Sequence, residues 1–375
     1  MTPNLIATEF QKLDDQWSAF QAETTRSFAI GHHLINLEFA SPSLVPLLCD
    51  ALAHLEIRTD RNQLPETRPD PTFDLASGGT FNAPSNQACN TAHTPALTIR
   101  AWDCEERQFP IPSLRWDILH ANGYQGVSKD GYFFQFFEGI NAISFLSIEH
   151  KVAYYITKNH RELPWWVRGS PLQAIFSAFF RARGLQLTHV AAVGSDSHCV
   201  LLAGKGGSGK TTTTLACLIQ GMTYLGEDYC LLEPTPDATI IHSVYQSAKW
   251  TAQTRAMYPQ FDTLVCNEPI SEQDKSLLFY RDSFPDQVSA ALPAKAIIAL
   301  SIQAHTNPKL MASDAVTSLK QLTLSTVKQL PFFDRQTNTL LQQCCDRVRH
   351  YALKLGQDRD ANVRVIQDIL ARETA

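Results

Sequence analysis

The chain lacks several features that would each announce a function. No stretch of its 375 residues approaches the roughly 18 consecutive apolar residues of a membrane span, and the opening MTPNLIATEFQKLDDQW has neither the basic flank nor the apolar segment of a secretory signal. The expected address is therefore the cytoplasm, with no membrane partner. Basic charge is not in surplus: 32 Lys and Arg face 37 Asp and Glu, the net charge is -5, and no block of like charges stands out. A protein that grips phosphate backbones needs a basic stripe, so nucleic acid is not an expected partner. The nine cysteines are odd in number and include no C-x-x-C pair, which excludes a disulfide scaffold and a zinc ribbon. They read as reduced, mostly buried small hydrophobes. Only 18 % of residues are charged while 44 % are hydrophobic, enough apolar material to offset the chain entropy of a sizeable core. The length suits two or three domains.

Along the chain, Phe10, Leu13, Trp17 and Phe20 recur three or four apart, predicting an amphipathic helix over 8–22. FAIGHHLINLEF (28–39) has a partly alternating, strand-like pattern, and 41–57 reads as an apolar helix with Ser43 as N-cap. From 59 to 96 the composition shifts to Pro, Asn, Thr, Asp and Gly, predicting a long loop or linker with one short strand at TFDLAS. LTIRAW, GYFFQFF, AISFLSI and KVAYYIT then predict an aromatic-rich sheet over 97–157. PWWVRGSPLQAIFSAFFRARG (164–184) carries a helical stripe through Leu172, Ile175, Phe176, Phe179 and Phe180, whose default role is packing.

The informative segment is HCVLLAGKGGSGKTTTTLACLIQG. An apolar strand, Val200 to Ala203, runs into a glycine-rich loop and then a helix-compatible segment, and Gly204, Gly209, Lys210 and Thr211 fit G-x-x-x-x-G-K-[ST]. Glycines let backbone N–H groups turn inward around an anion, and the helix N-terminus adds positive partial charge. In such a loop Lys210 reaches the β and γ phosphates and the Thr211 hydroxyl takes a place on Mg²⁺. The whole run Gly204, Lys205, Gly206, Gly207, Ser208, Gly209, Lys210, Thr211 and Thr212 is the expected nucleotide-binding stretch.

Two other motifs overlap it. Gly204, Gly206 and Gly209 also spell G-x-G-x-x-G, with Glu233 at about the distance where a dinucleotide site places an acid. The Lys210-Thr211 pair has no task in that fold, which argues against NAD or FAD. Lys205 through Thr211 also looks like the loop of the ParA and MinD partitioning ATPases, in which an extra lysine acts across a dimer. Against that alternative, about 200 residues precede the loop here, and the Asp-rich strand end and later switch of those proteins are not evident.

Glu227 and Asp228 follow within 17 residues of Thr211, between the apolar runs Tyr224-Leu225 and Cys230-Leu232. An acidic pair at such a strand end can hold metal with one carboxylate and accept a hydroxyl proton with the other. With these residues in view, THVAAVGSDSHCVLLAGKGGSGKTTTTLACLIQGMTYLGEDYCLLEP resembles the catalytic core of the HPr kinase family, the P-loop serine kinases related to phosphoenolpyruvate carboxykinase. That family has a histidine, a strand, the phosphate loop, a helix, then Gly and an Asp-Asp pair before an apolar strand. His189 stands 15 residues ahead of Gly204, where the family's histidine stands. The likeness covers roughly 188–250, about a sixth of the chain.

The resemblance implies that Gly204 to Thr211 bind ATP phosphates, that Thr211 helps hold Mg²⁺, and that the Glu227-Asp228 pair supplies the general base and a metal-linked carboxylate, with His189 nearby to orient or charge-balance the base. Glu227 departs from the family's Asp, and its arm, longer by about one C–C bond, leaves open which carboxylate deprotonates the acceptor; Asp228 is assigned to the metal and Glu227 to the base. The family's Gly-Arg-Asn signature is also missing downstream, so HPr is not the expected acceptor. Phosphoryl transfer needs cationic stabilisation besides the metal, and Lys249, Arg255, Lys275 and Arg281 are the candidates, Lys249 first among them. ALPAKAIIALSI (291–302) predicts a buried strand beside the loop strand, and 313–327, 338–355 and 361–372 predict helices.

The expected architecture is α/β. An N-terminal α/β domain for substrate recognition or an accessory task occupies 1–185, and a P-loop catalytic domain of the HPr kinase / phosphoenolpyruvate carboxykinase type, with a helical C-terminal end, occupies 186–375. The expected activity is ATP- and Mg²⁺-dependent phosphorylation of a hydroxyl on a peptide, protein or small molecule, by a chain that the resemblance makes a possible homo-oligomer. The alternative is a dimeric ATPase switch.

Overall fold

A computed structural model describes residues 3–57, 94–109, 124–267, 269 and 274–372. Most of the loop expected over 59–96, with its TFDLAS strand, lies outside these residues. The fold is mixed α/β, built on two large mixed sheets. Helix α1 (Pro3–Ser18) precedes a hairpin of β1 (Thr24–Ile30) and β2 (His33–Phe39). The single strand expected over 28–39 is thus two, because Gly31 and His32 both take positive φ and reverse the chain. Helix α2 (Leu44–Cys49) continues into a 3-10 turn to Leu55. Ser43 sits at its N-cap position but hydrogen-bonds Glu106 instead of the helix.

Strands β3 (Leu97–Asp103), β4 (Tyr124–Lys129), β5 (Tyr132–Phe137), β6 (Ala142–Ser147) and β7 (Val152–Thr157) complete the first sheet, in the order β1-β2-β3-β7-β6-β5-β4. The helix expected over 164–184 is broken. α3 (Trp165–Gly169) and α4 (Gln173–Arg181) are separated at Ser170-Pro171, with Leu172 at φ +60, since proline cannot continue a helix and biases the residue before it out of the helical region.

The second sheet is made of β8 (Gln186–Thr188), β9 (Ala191–Gly194), β10 (Cys199–Ala203), β11 (Thr223–Gly226), β12 (Cys230–Pro234), β13 (Thr239–Ser243), β16 (Ala291–Ile302), β17 (Lys309–Ala312) and β18 (Arg349–Leu355). β16 lies parallel between β10 and β18 at its centre. β14 (Ser247–Trp250) and β15 (Ser276–Phe279) form a separate antiparallel pair. The helix expected over 338–355 ends early: α8 (Arg335–Cys345) gives way to β18, whose RHYALKL joins the parallel centre. One face of the sheet is covered by α7 (Ala315–Val327) and α8, through Leu322, Leu341, Cys344 and Cys345. The other is covered by α5 (Lys210–Ile219) and α9 (Arg359–Ala371), through Cys217, Val363 and Ile366. A short helix α6 (Ala252–Met257) follows β14.

α1 caps one face of the first sheet with Ile6, Phe10, Leu13 and Trp17. Its other face shares a core with α2, α3, α4 and residues of the second unit such as Leu187, Tyr229 and Tyr245. Among the described cysteines all are unpaired and only Cys266 is exposed. No described helix is long and apolar enough to cross a membrane.

Candidate functional site

The glycine loop leaves the carboxyl end of β10, which runs parallel to β16, the end of such strands where α/β proteins present their ligands. Gly209 closes the loop at φ +94 and serves as the N-cap of α5. A Cβ there would lie 2.5 Å from Leu355 Cδ1, so both the backbone angle and the packing on β18 demand glycine. Lys210 Nζ donates to the carbonyls of Gly204 (2.7 Å) and Lys205 (3.5 Å), which folds the ammonium over the loop. Burial lowers its pKa from the usual lysine range, opposed by the charges of Asp228 and Glu227. Ser208 is buried and its hydroxyl has no partner among the described residues. Lys205, Gly206 and Gly207 are exposed at the tip, and Thr212 follows Thr211 in the first turn of α5.

The turn between β11 and β12 carries the acidic pair. Gly226 makes that turn possible, because a Cβ would lie 2.6 Å from Cys230 Sγ and 2.8 Å from the Tyr229 carbonyl. The two carboxylates diverge from it. Glu227 is 4 % exposed and points inward: one oxygen accepts from the Thr211 hydroxyl, the other from the Lys249 backbone N–H at 3.0 Å. Burial, with the Asp228 charge added, raises its pKa to about 7 against the pull of the Thr211 hydroxyl and the Lys249 amide. Asp228 keeps a side chain 22 % exposed and accepts from two partners, His189 Nε2 at 2.9 Å and Lys249 Nζ at 2.6 Å. Burial would raise its pKa too, but the Lys249 ammonium and the His189 hydrogen bond outweigh it and hold the carboxyl well below its ordinary range.

Each member of this cluster is itself braced. The His189 Nδ1 nitrogen meets Ser325 Oγ on α7, and its backbone N–H reaches Thr326 Oγ1. Lys249 on β14 also donates to Ser170 Oγ at 2.9 Å and lies 5.5 Å from the centre of the Tyr229 ring. The sequence-predicted Lys210, Thr211, Glu227, Asp228, His189 and Lys249 are therefore brought together at one end of the second sheet. Of the other cations, Arg255 pairs with Asp262 and Arg281 donates to the Ala53 carbonyl, whereas the Lys275 charge is felt by both Lys210 and Glu227. Glu233, the acid of the dinucleotide alternative, hydrogen-bonds His242.

Ser170 and Ser325 were not foreseen. The Ser-Pro dipeptide inside the apolar stripe of 164–184 is a readable break signal that could have exposed Ser170. Ser325 lies in an ordinary helical run and carries no such signal.

Among solved structures, the Hpr(Ser) kinase/phosphatase from Coxiella burnetii is a neighbour at 12 % identity and a TM-score of 0.28, over 50 % of this chain and 94 % of that one. No family model matches the chain, and no curated protein matches it. Similarity at that level carries no functional assignment.

Proposed function

We propose that the chain is an ATP- and Mg²⁺-dependent phosphotransferase that moves the γ-phosphate of ATP to a hydroxyl. The observation that carries this reading is the placement of two differently tuned carboxylates beside a glycine loop, one bonded to the loop's threonine and the other to a histidine and a lysine.

The residues fit the groups the reaction needs. The loop amides, the N-terminus of α5 and the unpartnered Ser208 hydroxyl suit phosphate oxygens, and Lys210 needs only to exchange loop carbonyls for phosphate. The Thr211 hydroxyl and Glu227 carboxylate are a hard oxygen pair that suits Mg²⁺. When bound there, Mg²⁺ would neutralise charge on the β and γ phosphates. This reverses the division expected from the sequence: Glu227 falls to the metal and Asp228 to the base. Glu227 has both oxygens turned into the protein, whereas Asp228 is ionised and partly open.

Asp228 orients the acceptor O–H. As the acceptor oxygen bonds to phosphorus and the bond from phosphorus to the ADP oxygen breaks, Asp228 takes the proton released by that hydroxyl. His189 and Lys249 fix the carboxylate, and Lys249 and Lys210 offset the charge of the transferring group.

The test is incubation with γ-labelled ATP, Mg²⁺ and cell extract divided into small-molecule and macromolecular fractions, beside Asp228→Asn. Label on an organic acceptor that disappears in the variant supports the reading and gives the acceptor's size class. Label released only as inorganic phosphate, at a specific rate that climbs with protein concentration, would favour the dimeric ATPase.

A further inference from the structure

A second cluster lies where the first sheet meets the second. The turn between β1 and β2 is seated on β12: Gly31 comes so close that a Cβ would lie 2.8 Å from Leu231 Cδ2. His32, the next residue, takes φ +63, a left-handed conformation uncommon for a residue other than glycine. On β12 and β13, Leu231 pairs with His242, so Glu233, two residues further along, shares a face with His242 and stands diagonal to it. His242 Nε2 and Glu233 Oε2 are 2.7 Å apart, and the His32 and His242 ring centres are 5.0 Å apart at 88°. One nitrogen or oxygen from each of His32, Glu233 and His242 lies within 4.8 Å of the others.

We propose that His32, Glu233 and His242 form a binding site for a divalent transition metal, Zn²⁺ by its donor chemistry, which fastens the β1–β2 hairpin to the second sheet. Two imidazoles and one carboxylate are a zinc donor set with a fourth position left for water. Two donors stand on paired strands, and His242 is 2 % exposed, so two of the three protein donors are held in place by the sheet. The third comes from an exposed turn that rotamer changes can adjust. Binding exchanges the hydrogen-bonded proton between His242 and Glu233 for the metal and releases it to solvent.

A second cluster of metal-binding residue types, Asp103, Glu106 and His160, does not qualify. Both Asp103 oxygens are already occupied, by the Glu105 and Glu106 amides and by the His160 amide and ring. The zinc inference is independent of the phosphotransferase reading.

The full chain, stripped with chelator and dialysed, is titrated with ZnCl₂ against a chromophoric competitor, beside His32→Asn, since asparagine tolerates the left-handed turn. The expected result is one Zn²⁺ per chain with a dissociation constant of about 1 µM or lower, weakened roughly 10-fold or more in His32→Asn. X-ray absorption of the loaded protein should show a nitrogen and oxygen shell with imidazole scattering. Zn²⁺ should also slow amide exchange over 24–39 in the parent and not in the variant. Binding weaker than about 10 µM, equal affinity in His32→Asn, or sulfur in the metal's shell would each overturn the proposal.

Discussion

Replacing Glu227 by Gln should make the metal-free protein more stable at neutral and alkaline pH while abolishing phosphotransfer. The carboxyl has a pKa of about 7 in the folded chain against an ordinary 4.5, chiefly because it is buried. Below pH 4.5 it is neutral in both states and costs nothing. As pH rises from there toward 7 the unfolded chain sheds a proton that the folded chain retains, so stability falls, and above 7 the folded protein carries the whole penalty. At about 1.4 kcal/mol per pKa unit this amounts to roughly 3–4 kcal/mol as an upper figure. Glutamine can replace both contacts, since its carbonyl accepts from the Lys249 N–H while its NH₂ donates to the Thr211 hydroxyl, which turns to accept. Urea denaturation followed by tryptophan fluorescence from pH 4 to 9 isolates the effect as the difference between parent and Glu227→Gln. The difference should be near zero at pH 4, grow through pH 5–7 and level off above 8 with the variant the more stable. A variant less stable than the parent at pH 8, or a difference that does not change with pH, would refute the reasoning.

The remaining predictions concern the partners of Asp228 and the glycine loop. Lys249→Met should strand Asp228 without its ammonium, costing about 1–3 kcal/mol, and should move the acid limb of the pH–rate profile upward because Asp228 then protonates more readily; thermal melts and a pH series of labelled transfer read both. His189→Asn should move that limb in the same direction by less and lower turnover about 10- to 100-fold, with ATP affinity, followed by a fluorescent analogue, almost unchanged. Gly209→Ala should cost about 1–3 kcal/mol and lose nucleotide binding, and because Leu355→Ala removes the clash but empties part of a core and leaves the φ +94 strain, the double variant should lose less than the sum of the two single losses in the melt. Lys205→Ala should leave most transfer intact, whereas Lys210→Ala should abolish it; equal losses would point to a lysine acting across a dimer.

Much of the site was legible because its chemistry is local. The loop, its lysine and threonine, and the acid pair lie within 25 residues, and each is marked by residue type and spacing. His189 and Lys249 needed a resemblance and a charge argument, since nothing in their own neighbourhoods shows that they flank the same carboxylate. The strand periodicity of 97–157 also served well, every run in it being a strand. Where the pattern misled, a tertiary preference decided. RHYALKL continues a helical spacing from 338, yet in the fold it fills the parallel position beside β16, where Leu353 and Leu355 pack on α9 and on the loop's Gly209. At 28–39 a glycine-histidine turn interrupts what reads as one strand, because the packing of Gly31 on Leu231 rewards the reversal.

The proposed division of labour between Glu227 and Asp228 illustrates why candidate site residues can be picked out in sequence while their roles cannot be. At the bend between β11 and β12 the two acids take different surroundings, and which of them is buried depends on what approaches each side. Here α5 brings Thr211 to Glu227 from within, while the β8–β9 connection, braced by Ser325 of α7, and β14 bring His189 and Lys249 to Asp228 nearer the surface. In sequence the longer arm of Glu227, by about one C–C bond, leaves the choice open, and the assignment made there puts the base on Glu227. Environment outweighs that difference: burial keeps one carboxyl protonated near neutrality, and a neighbouring cation keeps the other ionised. If Asp228 is the base, Asp228→Asn should eliminate transfer at every pH while leaving Mg²⁺-dependent nucleotide binding in place. Glu227→Gln should lose the Mg²⁺ dependence of that binding. The opposite pattern, metal dependence lost with Asp228→Asn and kept with Glu227→Gln, would return the base to Glu227.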